Sequence, residues 1–125
     1  MTKSEVTANG MDLPVNPQWE VHPTDVKASL DMKEDLFLLD CRQLKEWNYA
    51  HLEGATLVPM NELEEKAQGE LAPLIKRRVV VYCHVGGRSL RATAFLRHVG
   101  FENVHSMAGG IEAWSLIVDP AVPRY

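Results

Sequence analysis

The chain has 125 residues, 46% of them hydrophobic and 24% charged, which bounds it to one domain able to bury roughly two-thirds of its unfolded surface. A formal charge of −4 excludes a general nucleic-acid binder, which needs a basic face for phosphates, but leaves room for a local anion site. No apolar run approaches the ~20 residues of a membrane helix and the opening MTKSEVTANG lacks the core of a signal peptide, so the expected location is the cytoplasm, where thiols stay reduced.

Residues 1–17 are polar, with Pro14 and Pro17, and are expected to form a flexible leader before a domain at 18–119 and a C-terminal tail at 120–125. The segment WEV reads as a short edge strand. HPTDVKASL follows as a helix with Pro23 in its first position, Val26 and Leu30 on its apolar side and His22 as a weak N-cap. LFLLD, residues 36–40, is a continuous apolar run ending in an acid, the pattern of a strand buried on both faces. QLKEWNYA fits at most two helical turns. ATLVPM fits a brief strand closed by Pro59, and NELEEKA a helix opened by an Asn61–Glu64 capping pair. Gly69 and Pro73 then break the chain. RVVVYC is the clearest strand and SLRATAFLRHVG the clearest helix, its apolar side marked by Leu90, Ala94, Phe95 or Leu96, and Val99, with Gly100 as its stop. NVHSM and GGIEAWSLI complete the series as strand and helix. Strands alternating with helices in one domain imply an α/β fold: a mainly parallel central sheet flanked by helices in three layers. Ligands of such sheets lie beyond the carboxyl ends of the strands, where Cys83 and Asp40 stand.

The stretch VVVYCHVGGRS carries the chemistry. Cys83 follows a buried strand and precedes a helix, so the amides of His84, Val85, Gly86, Gly87, Arg88 and Ser89 can turn inward as a nest for an anion. Gly86 and Gly87 allow close approach of the backbone, and Arg88 adds a permanent charge. A helix start and an arginine both favour thiolate over thiol, which makes Cys83 a nucleophile at neutral pH. Four residues separate Cys83 from Arg88, one fewer than in the cysteine-type phosphatases. The tighter ring suits something smaller than phosphate, such as the outer sulfur of a persulfide, and argues against a phosphatase or arsenate reductase. This reading requires amides aimed inward and a Cys83 side chain open to solvent. With only two cysteines, Cys41 and Cys83, and no zinc-type spacing, no metal and no cofactor are expected.

CHVGGRS resembles the Cys-x-x-Gly-x-Arg-Ser loop of the rhodanese family of sulfurtransferases. Two further segments agree: LLDCRQLKEWNYAHLEGA is similar to the family's upstream Asp-x-Arg … Gly-His-Ile-x-Gly-Ala motif, and MAGGIEAW to its downstream Gly-Gly-x-x-x-Trp signature. The likeness runs over about residues 19 to 118. Ala50 stands where the family has glycine, and Cys41 where it has valine. The resemblance implies a rhodanese-like fold and a two-step transfer. Cys83 takes a sulfane sulfur from a small anionic donor such as thiosulfate, then yields it to cyanide, a thiol or a sulfur-carrier protein. The tail WSLIVDPAVPRY resembles the end of rhodanese domains attached to enzymes that adenylate sulfur carriers, which supports an alternative: a persulfide carrier or interaction module for a fixed protein partner.

The remaining residues have plainer readings. Asp40 is expected to orient Arg42 or the loop from below; Arg42 and Glu46, four apart, are expected to pair within one helix. His51 reads as a structural histidine and Trp114 as core. His84 tunes the donor site or is a spectator, and Arg91 and Arg97 decorate the solvent face of their helix. Cys41 is a small core residue, with a second reading as a thiol that closes a disulfide with Cys83. A monomer is expected.

Overall fold

A computed structural model of the chain describes residues 5–6 and 12–125. Most of the expected leader therefore lies outside the described residues. Two short strands, β1 (Glu5–Val6) and β2 (Asp12–Leu13), pair antiparallel ahead of the main body. The body then runs β3 (Glu20–Val21), α1 (Pro23–Asp31), β4 (Phe37–Asp40), α2 (Leu44–Tyr49), β5 (Thr56–Leu57), α3 (Leu63–Gln68), β6 (Val79–Tyr82), α4 (Gly87–His98), β7 (Val104–Met107) and α5 (Gly110–Ala113), the last widening into a π turn over Trp114–Val118.

The five strands from β3 onward form one sheet in the order β3-β7-β6-β4-β5, and every neighbouring pair is parallel. The strands reverse order between β4 and β6, the place where such a sheet offers a crevice at its carboxyl edge. β6 is central, and its Val-Val-Val-Tyr is buried at all four positions, as a strand covered on both faces requires. The two-residue alternation divides the core. Leu39, Val79, Val81 and Cys83 pack on one face with Leu63 of α3 and Ala92 and Leu96 of α4. On the other face Leu38, Val80 and Tyr82 meet Val26 of α1, Ile111 of α5 and Trp114.

Local chemistry explains most boundaries. His22 caps α1 through Nδ1, which accepts from Thr24 N at 3.1 Å, and Pro23 occupies the first turn where its missing N–H costs nothing. Gly100, at φ +110°, ends α4. Two expectations fail. The capping pair Asn61–Glu64 is not formed: Met60–Glu62 make a 3₁₀ turn and α3 starts behind Glu62 with no side-chain cap. The buried face of α4 is Ser89, Ala92, Thr93 and Leu96, while Val99 is 40% exposed. Small residues win that face because the helix start presses onto the cysteine loop and β7, where Ser89 and Ser106 share a 2.7 Å hydroxyl contact. Among the described residues no helix is long and apolar enough to cross a membrane.

Candidate active site

Cys83 and Asp40 end adjacent strands, since Asp40 lies opposite Tyr82 in the β4–β6 register. After Cys83 the chain turns through Gly86, at φ +116°, straight into α4. No side chain of the expected kind caps this helix. The Cys83 sulfur does so instead: Sγ accepts from Gly86 N at 3.1 Å and Ser89 N at 3.3 Å, with Ser89 Oγ at 3.4 Å. An N-cap oxygen occupies the same place in an ordinary helix, and the arrangement gives the sulfur the positive end of α4.

The loop is braced from behind by the second glycine pair. Gly109 (φ +74°) and Gly110 (φ +62°) let the first turn of α5 donate to the loop, Ile111 N to Cys83 O at 2.9 Å and Glu112 N to His84 O at 3.0 Å. A Cβ at Gly110 would stand 2.4 Å from His84 O and 2.5 Å from Cys83 O. The downstream Gly-Gly signature is thus the seat of the cysteine loop.

Electrostatics follow the same geometry. The Cys83 thiol is held well below its ordinary range, at about 5, by a hydrogen bond from Cys41 and then by the Ser89 hydroxyl and the Ser89 and Gly86 amides, against the opposing effect of burial. Cys41 moves the other way, its thiol kept protonated by the bond to Cys83, by burial and by the charges of Cys83 and Asp40. One expectation is not met. Cys83 is only 1% exposed, because the sulfur is used as a helix cap and lies under the loop it caps. A recess of about 450 Å³ opens on the side of Cys41 and Arg88, walled also by Leu44, Pro59 and Met60 among others, and Cys83 itself does not line it.

Arg88 does not reach freely toward solvent. Its guanidinium forks onto Glu46, Nη1 to Oε1 at 2.8 Å and Nη2 to Oε2 at 3.0 Å, across 42 residues of sequence. The Glu46 carboxyl is held down at about 2 by this pairing, helped by the Gln43 amide and the Tyr125 hydroxyl. The Arg42–Glu46 pair expected from spacing is therefore absent. Arg42 precedes α2 rather than lying on it, and turns inward. There its Nε and Nη2 embrace the Asp40 carboxylate at 2.7 to 3.1 Å, Nη2 also bonds Ala50 O at 2.7 Å, and both side chains are fully buried. Asp40 orients Arg42 as anticipated, and both brace the strand end below the loop.

The tail holds residues that pattern reading missed. Tyr125 stacks on His84 with ring centroids 4.0 Å apart; its hydroxyl accepts from Arg42 Nη1 at 2.8 Å and donates to Glu46 Oε2 at 2.7 Å. Arg124 pairs with Glu112. His84 is thus the support of an aromatic stack rather than a free group. His51 is structural as expected, stacked on Trp47 and bonded to its carbonyl at 2.9 Å, and Trp114 is core. Arg97 is no surface ornament: it holds Val104 O and Gln18 O and lies 4.4 Å over the Trp19 ring, whereas Arg91 is exposed.

An all-parallel sheet whose central strand ends in a helix-capping cysteine, with an arginine in the first turn beyond it, defines an α/β domain with a polarised thiol at its carboxyl edge. The chain belongs to the Rhodanese-like domain family, matched over residues 22–116. It is 35% identical over 106 residues to the probable adenylyltransferase/sulfurtransferase MoeZ of Mycobacterium tuberculosis, covering 84% of this chain and 26% of that protein. With the putative sulfur carrier protein YrkF of Bacillus subtilis it shares 32% identity over 89 residues, 71% of this chain and 46% of the relative. The thiosulfate sulfurtransferase of Pseudomonas aeruginosa superposes with a TM-score of 0.71 at 30% identity, over 78% of this chain and 19% of that one. The chain spans less than half the length of these relatives.

Proposed function

We propose that the domain moves a sulfane sulfur through a persulfide on Cys83. The Cys83 thiolate attacks the outer sulfur of an anionic donor such as thiosulfate. An Sγ–S bond forms, the donor's S–S bond breaks, and the electron pair leaves with sulfite. An acceptor (cyanide in an assay, a thiol or a carrier protein in the cell) then takes the outer sulfur and returns the pair to Cys83. The observation that carries this reading is the sulfur's place as cap of α4, with Gly86 N and Ser89 N both directed at it. An added sulfur would meet the same donors, where a charged atom gains most from preset amides.

The resting burial of Cys83 sets a requirement: the fork of Arg88 on Glu46, or the loop itself, must part before a donor reaches the sulfur. That requirement favours a second reading, a carrier loaded by a protein partner able to pry the mouth open, in keeping with the sulfur-carrier and adenylyltransferase names of the relatives. Intact mass after incubation with thiosulfate tests the first reading. The expected result is a gain of one sulfur atom, lost on adding cyanide and absent in Cys83→Ser. A protein that stays unloaded by thiosulfate but takes sulfur from a persulfide-bearing protein establishes the second. Failure with every donor, or loading that survives Cys83→Ser, overturns both.

A further inference from the structure

Cys83 has a neighbour that the proposed transfer does not use. Cys41 follows β4 as Cys83 follows β6, and the Cys41 amide donates to Tyr82 O at 3.1 Å, extending the parallel ladder by one residue. One step on, the two cysteines stand side by side across the strand gap, and both turn to the face holding Leu39, Val81 and Ala92. Each is 1% exposed. The hydrogen bond that the Cys41 thiol makes is to the Tyr82 carbonyl, 3.5 Å from Sγ, and the Cys83 sulfur is its neighbour across the strand gap.

The surroundings decide which sulfur is charged. Cys83 faces two amides, the Ser89 hydroxyl and the start of a 12-residue helix, with Arg88 of α4 beyond, itself paired to Glu46 of α2. Cys41 faces a carbonyl oxygen and neighbours Asp40. Negative charge settles on Cys83, and the proton stays with Cys41.

We propose that Cys41 is a positioning residue for Cys83, its S–H serving as the hydrogen-bond donor that meets the thiolate from the β4 side, opposite the loop. The consequence differs between the half-reactions and there rests on the sulfur-transfer reading above. In the second step the acceptor attacks the outer sulfur, the S–S bond breaks and its electron pair returns to Cys83 Sγ. Cys41 stabilises that leaving thiolate and speeds the step. In the first step the same bond lowers the nucleophilicity of Sγ while raising its charged fraction, and the two effects oppose each other. The bond in the structure is the one to the Tyr82 carbonyl; the Cys41 proton turns from it to Sγ when that sulfur is charged, and back while Cys83 carries the extra sulfur.

The test begins with the thiolate alone, titrated by its ultraviolet absorbance in the full chain without any sulfur donor. Cys83→Ser identifies the signal by removing it. Cys41→Val, which keeps the volume but removes the donor, is expected to move the Cys83 titration upward by about one to two pH units. Cys41→Ser, which keeps a donor, is expected to stay near the wild type, and Cys41→Ala repeats the loss should the valine disturb folding. In single turnovers Cys41→Val is expected to slow sulfur release to cyanide more than loading. The inference is overturned by an unchanged titration in both Cys41→Val and Cys41→Ala, by equal shifts in the valine and serine variants, or by a low-range signal that survives Cys83→Ser. Should the titrations behave as expected while no variant or wild type ever takes up sulfur, the transfer reading falls and this one stands.

Discussion

Replacing Tyr125 with phenylalanine removes one oxygen and keeps the ring on His84. That oxygen accepts from Arg42 Nη1 and donates to Glu46 Oε2, and it is the acceptor found for Nη1 among the described residues. The two losses are unequal. Glu46 keeps both arms of Arg88 and the Gln43 amide, and water can reach its partly exposed edge. Arg42 is fully buried, so a charged N–H loses its protein partner. A hydrogen bond to a charged group contributes about 1.5–3 kcal/mol, and an orphaned buried donor costs a similar amount; the expected net loss for Tyr125→Phe is about 2 kcal/mol. For a two-state domain of this length that lowers Tm by roughly 8 °C. Urea unfolding and thermal melts of the two proteins measure it, and Tyr125→Ala is expected to cost about 1 kcal/mol more through the lost stack. Wild-type stability in Tyr125→Phe, within about 0.5 kcal/mol, would refute the claim that the tail is fastened to Arg42.

Two other perturbations probe the cysteine loop. Gly110→Ala places a methyl within 2.6 Å of loop backbone, at a residue with φ +62°, and is expected to cost about 3 kcal/mol or more in denaturant unfolding; a nearly silent substitution would show that α5 does not seat the loop as described. Stability should also follow the ionisation of Cys83. Its thiol lies at about 5 in the folded chain and near 8.5 when unfolded, so between these values the unfolded state binds more protons and stability rises with pH. The contribution is complete above the unfolded value and is lost as pH falls through about 5. Unfolding midpoints across that window are expected to rise more steeply for the wild type than for Cys83→Ser; parallel curves would mean that the sulfur is not charged in the fold.

The sheet was legible because its strands obey local rules. Four consecutive buried residues in β6 and an apolar run ending in Asp40 announce strands covered on both sides, and the Cys-to-Arg loop announces a helix start. Spacing failed where tertiary geometry overrides it. Arg42 and Glu46 sit at helical spacing, yet the chain enters α2 only at Leu44, so Arg42 turns to Asp40 and Glu46 is left for an arginine 42 residues away. The buried face of α4 carries a serine and a threonine, which apolar periodicity does not count, because close approach to β7 favours small side chains there. The role of Tyr125 depends on the tail folding back across the domain, and no local pattern encodes that return.

The helix after the loop has no residue of its own to close its first turn and borrows Cys83 for the purpose. Alkylation, oxidation or an added atom at that sulfur each changes what the amides of residues 86 and 89 hold. Solvent exchange of those two backbone protons is therefore a gauge of the sulfur's chemical state, legible in the spectrum of the main chain without observing sulfur at all.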